Sequence, residues 1–215
     1  MIVQIYEVGN PTGAKTLAEI GVDHIGVLVG KGKYPRELAI EKAKEIFQSL
    51  PPNVKKVVLS LSDNLEDISE IIDKIHPDIL HLGITEEILP IKKVKEIREK
   101  YPKLKIMRAI AVIDEGSVRL AEEYEKIVDY LLLDTYKSQL GVTGETHNWD
   151  ISRRIVETVK IPVILAGGLG IDNVADAIRK VKPAGVDSKT KTDKMGSHEK
   201  DIEKVKEFVK IAKSF

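Results

Sequence analysis

Short apolar segments alternate along the chain with longer segments in which apolar residues recur at helical spacing. The apolar segments are too short for helices and rich in valine, isoleucine and leucine, which is typical of buried strands. Eight strands are predicted in this way, at residues 2–8, 22–29, 54–62, 78–82, 104–112, 130–133, 161–166 and 184–187. A helix is predicted after each of them, at residues 14–20, 37–50, 65–75, 91–100, 118–127, 151–159, 172–181 and 199–213.

Strict alternation of strands and helices indicates right-handed crossovers and a parallel sheet. Eight repeats in 215 residues favour a single-domain (β/α)8 TIM barrel over residues 1–215, with few insertions in its loops. The main alternative is an open doubly wound sheet, which usually carries a G-x-G-x-x-G fingerprint in its first turn. Residues 8–13 do not supply that fingerprint, so the sequence predicts the closed barrel.

The balance of charges and the lack of long apolar runs argue against nucleic acids and membranes as partners. Lys plus Arg and Asp plus Glu each number 34, so no overall basic field favours nucleic acid or an anionic membrane. No apolar run approaches the roughly 20 residues of a membrane span, and the first residues do not resemble a secretion signal, so we expect a cytoplasmic protein. The 32% of charged residues and the scarcity of Met are typical of thermophiles. The oligomeric state stays open, a homodimer being one option.

The chain contains no cysteine, which excludes disulfides, thiolate metal ligands and thiol nucleophiles. Other chemistry is expected where the strands end, because the loops at the C-terminal ends of barrel strands converge over the pore. Asp134 is the strongest candidate for a catalytic residue. A carboxylate at the end of an apolar buried strand costs stability unless it is paired or has a function. Further candidates at strand ends, or in the loops that follow, are Tyr6, Glu7, Arg36, His81, Arg108, Gly144, His147 and Asp187.

Two loops near the C-terminus form a predicted phosphate site. Gly167 and Gly168 follow a strand and precede a helix, which exposes backbone N–H groups without side chains that would block an anion. The loop after the last strand supplies the hydroxyl of Thr190 and the ammonium group of Lys189. Phosphate pockets of such barrels are often built from these two loops, so we expect a small phosphorylated substrate. The alternative for the glycine pair is a simple tight turn.

Several motifs together carry a resemblance to a known family. They are L-L-D-T at residues 132–135, G-V-T-G at 141–144 with Trp149 following, L-A-G-G-L at 165–169, G-V-D at 185–187 and Lys200-Asp201. With these motifs the chain resembles the phosphoribosylanthranilate isomerases, small (β/α)8 enzymes of tryptophan biosynthesis. The resemblance implies an Amadori-type rearrangement of an N-ribosyl phosphate into a ketose, without a cofactor. A general acid opens the ring and a base removes the proton from C2. Asp134 matches the acid.

The reacting end departs from the family pattern. The family's base is a cysteine in a K-I-C-G context, whereas residues 4–7 read Q-I-Y-E. Tyr6, with an ordinary pKa near 10, would need that pKa lowered strongly to replace the cysteine. Glu7, His81 and Asp187 are the other candidate bases.

Two further hypotheses stay open at this point. The barrel could have kept the phosphate pocket and lost the chemistry, which would make it a binding or regulatory protein. It could instead be a metal-dependent sugar-phosphate enzyme, with the ion held by His81, Asp134, His147 and Asp187. We favour the isomerase, because unpaired ionisable residues at so many strand ends would cost stability without a function.

Overall fold

The structure, a computed structural model, describes residues 1–83, 85–135 and 148–215. Eight parallel strands form a closed barrel in sequence order, and β1 pairs with β8 as well as with β2. The strands are β1 (Ile2–Ile5), β2 (His24–Leu28), β3 (Lys55–Ser60), β4 (Ile79–Leu82), β5 (Lys105–Val112), β6 (Tyr130–Thr135), β7 (Val163–Leu165) and β8 (Gly185–Ser188). The predicted (β/α)8 barrel is therefore confirmed.

A helix follows each strand and packs on the outside of the barrel. The helices are α1 (Pro11–Ile20), α2 (Ile40–Gln48), α3 (Leu65–Ile75), α4 (Ile91–Lys100), α5 (Gly116–Glu125), α6 (Trp149–Thr158), α7 (Val174–Val181) and α8 (Ile202–Lys213). Helix α1 begins three residues earlier than predicted because the side chain of Asn10 accepts a hydrogen bond from Gly13 N and Pro11 fits the first helical position. Within the described residues, no helix has the length and apolar character needed to cross a membrane.

Alternate residues of each strand enter two different apolar layers. The larger layer lies between the sheet and the helices and includes Leu131 and Leu133 of β6. The smaller layer fills the pore, where Leu132 packs with residues of other strands such as Ile79 and Met107. Asp134 lies two residues beyond Leu132, so the same alternation directs its side chain to the pore side at the C-terminal mouth of the barrel.

The Tyr6 side chain, at the end of β1, fills the pore next to Gly26 of β2. Tyr6 is buried, and a Cβ atom at position 26 would overlap its ring. Glycine is therefore required at this position by the close approach of an aromatic ring.

Candidate active site

A polar network crosses the pore from β2 through β1 to β8. Gln4 Nε2 donates a hydrogen bond to Asp187 Oδ1 over 3.1 Å, and Gln4 Oε1 lies 3.1 Å from His24 Nδ1. Burial lowers the pKa of His24 to about 4, so the neutral ring donates its Nδ1 proton to the amide oxygen. Burial also raises the pKa of Asp187 to about 7, against the effect of the Gln4 hydrogen bond, and the charge of Asp134 raises it further.

Asp134 stands at the mouth, where β6 ends. Its carboxyl is open to solvent on one side, and Oδ1 accepts a hydrogen bond from Thr135 N over 2.7 Å. The protein that encloses the other sides raises the pKa of Asp134 by desolvation, while the Thr135 N–H and the charge of Lys189 act in the opposite direction. Asp134 and Asp187 are thus electrostatic neighbours with raised pKa values. Such a pair can supply both an acid and a base near neutral pH.

Tyr6 and His81 form a second buried pair in the pore. The Tyr6 hydroxyl lies 2.9 Å from His81 Nδ1. Burial raises the pKa of Tyr6, with Asp187 and Glu7 adding to the shift, so the phenol keeps its proton and donates it to the ring nitrogen. Burial and the charge of Arg108 lower the pKa of His81 to about 3. A general base at neutral pH needs the opposite shifts, so neither predicted residue is retained as the base.

Glu7 joins three loops at the mouth. Its side chain is only 6% exposed, and its carboxylate forms ion pairs with Arg36 of the loop after β2 and with Lys189 of the loop after β8. Arg36 Nε lies 2.9 Å from Glu7 Oε2, and Lys189 Nζ contacts Oε1. The structure therefore brings three of the residues predicted from strand ends into one charged cluster, although they are far apart in sequence.

The loop after β7 has the backbone form that the predicted phosphate site requires. Gly167 and Gly168 have φ angles of 83° and 66°, in the left-handed region that favours glycine. No acceptor among the described residues takes a hydrogen bond from their N–H groups. The Asn173 side chain fixes the rest of the loop, because it donates to Gly168 O over 3.0 Å and accepts from Gly170 N over 2.9 Å.

The loop after β8 lies beside the glycine loop. Ser188 Oγ donates to Leu169 O over 2.7 Å, which ties the two loops together. Thr190 begins a 3-10 helix over Thr190–Thr192, and the first N–H groups of any helix lack an intrahelical acceptor. The N–H groups of Gly167, Gly168 and Thr190 have no acceptor among the described residues, and the phosphate site at these two loops stays a prediction.

The buried side chain of Lys200 stabilises the loop after β8. Its side chain is 7% exposed, and Nζ donates to Lys189 O over 2.7 Å and pairs with Asp193 Oδ1 at 2.5 Å. Lys200 belongs to one of the motifs that carry the family resemblance, but it was not predicted as a site residue. Gln4 was missed altogether, although a polar residue between Val3 and Ile5 is a recognisable exception in an apolar strand.

Other predicted site residues fall elsewhere. Arg108 points to the helix side of β5, where Nη2 donates to Leu89 O over 3.1 Å and the guanidinium stacks on Tyr124 at 5.1 Å. Its neighbour Met107 faces the pore, so Arg108 cannot contact a ligand there and the prediction is corrected. Gly144 and His147 lie outside the described residues.

Among the described residues, the structure shows no arrangement of side chains that supports the hypothesis of a metal site. No three His, Asp or Glu side chains of these residues come together in a way that could hold an ion. Two of the four proposed ligands, Asp134 and Asp187, are electrostatic neighbours, whereas His81 is engaged with Tyr6. The fourth, His147, is not described.

Comparison with known proteins identifies the family. The sequence profile described as N-(5'-phosphoribosyl)anthranilate (PRA) isomerase matches residues 8–211. The chain belongs to this family. PRA isomerases of Methanocella arvoryzae and Methanopyrus kandleri are 34% and 36% identical to it over 209 and 222 residues. These alignments cover 96% and 99% of this chain, and 95% and 98% of the two relatives.

Solved structures of PRA isomerases share the fold over the whole chain. The enzyme of Thermotoga maritima aligns with a TM-score of 0.86 at 27% identity, covering 100% of both chains. A second PRA isomerase, solved in complex with reduced 1-(O-carboxyphenylamino)-1-deoxyribulose 5-phosphate, aligns with a TM-score of 0.83 at 26% identity, again over 100% of both chains. The resemblance predicted from the motifs is therefore confirmed.

Proposed function

We propose that this member of the PRA isomerase family isomerises an N-linked 5-phosphoribosylamine to the corresponding 1-amino-1-deoxyribulose 5-phosphate. The observation that carries the proposal is the position of two pore-side carboxyls, Asp134 at the end of β6 and Asp187 near the end of β8, where Gln4 holds Asp187 over 3.1 Å. The pKa values of both are raised. The family reaction needs one group that gives a proton and one that takes a proton, and such a pair provides both. The neighbouring loops after β7 and β8 offer N–H groups for the phosphate.

The phosphate would be anchored by the N–H groups of Gly167 and Gly168 together with those that begin the 3-10 helix at Thr190. Binding at this end fixes the ribose over the mouth of the pore. Positioning of this kind removes much of the entropic cost of the chemical steps. Lys200 supports it indirectly, because it holds the carbonyl of Lys189 one residue before Thr190.

Asp134 acts as the general acid in this proposal. It gives its proton to the ring oxygen of the ribose while the bond between C1 and that oxygen breaks. The lone pair of the substrate nitrogen forms the C1=N double bond of a protonated Schiff base. The raised pKa of Asp134 supports this role, since a carboxyl that keeps its proton to higher pH can donate it closer to neutrality.

Asp187 acts as the base that removes the proton from C2. The electrons of the C2–H bond form C1=C2, and the C1=N electrons return to nitrogen, which gives an enaminol. Transfer of a proton to C1, with loss of the proton from the C2 hydroxyl, then converts the enaminol to the ketose, so product and substrate are isomers. A pKa of about 7 suits a group that accepts and returns a proton at neutral pH. Glu7 is less suitable, because protonation would break its two ion pairs.

The test compares Asp134→Asn and Asp187→Asn with the control Asp73→Asn, at an exposed position of α3. Turnover is measured with N-(5'-phosphoribosyl)anthranilate and with N-(5'-phosphoribosyl)aniline, and binding with ribose 5-phosphate by calorimetry. We expect each pore variant to lower kcat by about 10²–10⁴-fold with binding changed less than about threefold, and the control to match the parent. Full kcat in Asp134→Asn would refute the mechanism. Binding without turnover in the parent would favour a phosphate-binding barrel that lacks the chemistry.

Assembly and location are separate proposals. One solved relative, from Thermotoga maritima, is described as dimeric, and we propose a homodimer for this chain by analogy. Light scattering coupled to gel filtration measures the mass directly, and a monomer at micromolar concentration would contradict the analogy. Cytoplasmic location stays a prediction from the sequence.

A further inference from the structure

Lys189 lies at the mouth of the pore, close to the two carboxyls of the proposed mechanism. It directly follows β8, two positions after Asp187, so the alternation of the strand directs both side chains to the same side. Its ammonium group forms an ion pair with Glu7 Oε1, and its backbone oxygen accepts a hydrogen bond from Lys200 Nζ over 2.7 Å. Glu7 is held on its other side by Arg36, whose Nε lies 2.9 Å from Oε2. Both the backbone and the side chain of Lys189 are therefore fixed at the mouth.

The charge of Lys189 acts on both of these carboxyls. Burial is the main cause that raises the pKa of Asp134, and the charge of Lys189 opposes it. Burial also dominates at Asp187, where the charge of Lys189 again favours the ionised form. The side chain of Lys189 is only 23% exposed, so water screens these interactions less than it would at the surface. One cation therefore influences the proposed acid and the proposed base.

The other ionisable groups that face Asp187 come from β1, from β6 and from the segment before α8. Tyr6 of β1 contributes no charge, because burial raises its pKa and the phenol keeps its proton. Asp134 of β6 has a charge of the opposite sign to Lys189, and it raises the pKa of Asp187. Lys200, before α8, lowers that pKa, but its ammonium group also holds the backbone of the loop. The side chain of Lys189 can be changed while this backbone contact is kept.

We propose that Lys189 is a positioning residue of the isomerase, whose charge keeps Asp187 ionised and so sets the pH range in which this base can take the C2 proton. The inference rests on the proposed function, in which Asp187 is the base. An opposite charge near a carboxyl lowers its pKa by about 1–3 units. Without the charge of Lys189, Asp187 would keep its own proton further into the neutral range and could not accept another.

The experiment measures the charge of Asp187 separately from catalysis. Protein labelled with ¹³C is titrated by NMR, and the carboxyl signal of Asp187 is identified by its loss in Asp187→Asn. We expect the apparent pKa of Asp187 to rise by about one unit in Lys189→Met and Lys189→Gln, and to change by less than about 0.3 unit in Lys189→Arg. The rise of kcat with pH, measured with N-(5'-phosphoribosyl)anthranilate, should move by the same amounts.

The matched control is Lys194→Met, which removes a positive charge from an exposed ion pair with Glu199 in the same loop. Both the titration and the kcat profile of this variant should match those of the parent. The Lys189 variants keep the ion pair of Glu7 with Arg36, and circular dichroism checks that their fold is unchanged.

The titration decides the inference, and turnover decides the proposed function. An unchanged Asp187 titration in both neutral variants overturns the role of Lys189, as does an equal shift in Lys189→Arg, since the charge would then not be the cause. If the titration moves but the kcat profile does not follow, Asp187 is not the base, and the positioning role is overturned with that assignment. A parent without turnover refutes the isomerase and, with it, the catalytic part of the inference.

Discussion

Replacing Asp187 by asparagine should stabilise the protein at alkaline pH while it removes the proposed base. An aspartate in an unfolded chain has a pKa near 3.9, whereas burial raises that of Asp187 to about 7. The folded state therefore keeps a proton that the unfolded state has already lost. Folding takes up this proton between about pH 4 and pH 7, so stability falls as the pH rises through that window and stays reduced above it.

The size of the effect follows from the shift. About three pKa units, at 1.36 kcal/mol each, correspond to about 4 kcal/mol of unfolding free energy lost by pH 8. Asparagine has no charge to bury, and its side-chain oxygen can still accept the hydrogen bond from Gln4. The hydrogen bond from Gln4 already contributes to the pKa of Asp187, so the expected gain at pH 8 is about 4 kcal/mol. The gain should disappear near pH 4, where both states bind the proton.

Urea unfolding at pH 4 and pH 8 measures this difference, with Asp63→Asn as the control at an exposed site. For a chain of this length, a gain of about 4 kcal/mol corresponds to a rise of about 12 °C in the melting temperature. Asp63→Asn should leave both values within about 0.5 kcal/mol of the parent. The reasoning would be refuted by equal stabilisation at both pH values, or by none at pH 8, since either result means that Asp187 is ionised in the folded protein without penalty.

Three further predictions concern the pore and its surroundings. Gly26→Ala should lower the unfolding free energy by about 1–3 kcal/mol, because the added methyl group displaces the Tyr6 ring. Urea titration measures this loss, and Gly9→Ala is the control, since a Cβ atom at position 9 meets no other atom. Arg108→Met should reduce stability but leave KM within about twofold; a large rise in KM would place Arg108 in the site after all. If Asp187 is the base, kcat should rise with pH around an apparent pKa of about 7, and a flat profile from pH 5.5 to 8.5 would exclude that role.

The barrel could be predicted because each element carries its own periodicity. Helix α3 buries Ile68, Ile71, Ile72 and Ile75 along one face, a spacing that is visible in the sequence. Asp134 and Asp187 could also be found, because a carboxylate at the end of an apolar strand contrasts with what precedes it. Site residues can be recognised in this way only where a polar residue interrupts or ends an apolar run.

The site could not be completed from the sequence for two physical reasons. Barrel strands are apolar on both faces, so the pattern does not reveal which alternate residues face the pore, and Arg108 was assigned to the wrong face for this reason. The contacts of Glu7 with Arg36 and Lys189 depend on loop conformations, such as the left-handed backbone of Arg36, that no local motif specifies. Long-range ion pairs of this kind become visible only in three dimensions.

The contact between Tyr6 and Gly26 also constrains the order in which this pore could have evolved. A tyrosine could enter β1 only after position 26, or together with it, had become glycine, because any larger residue occupies the volume of the ring. The reverse step is equally restricted, since a small side chain at position 6 would leave a void in the pore and His81 without its hydrogen-bond donor. A cysteine introduced at position 6 by a single substitution would therefore leave part of the pore beside Gly26 unfilled. A change at one of the two positions calls for a compensating change at the other.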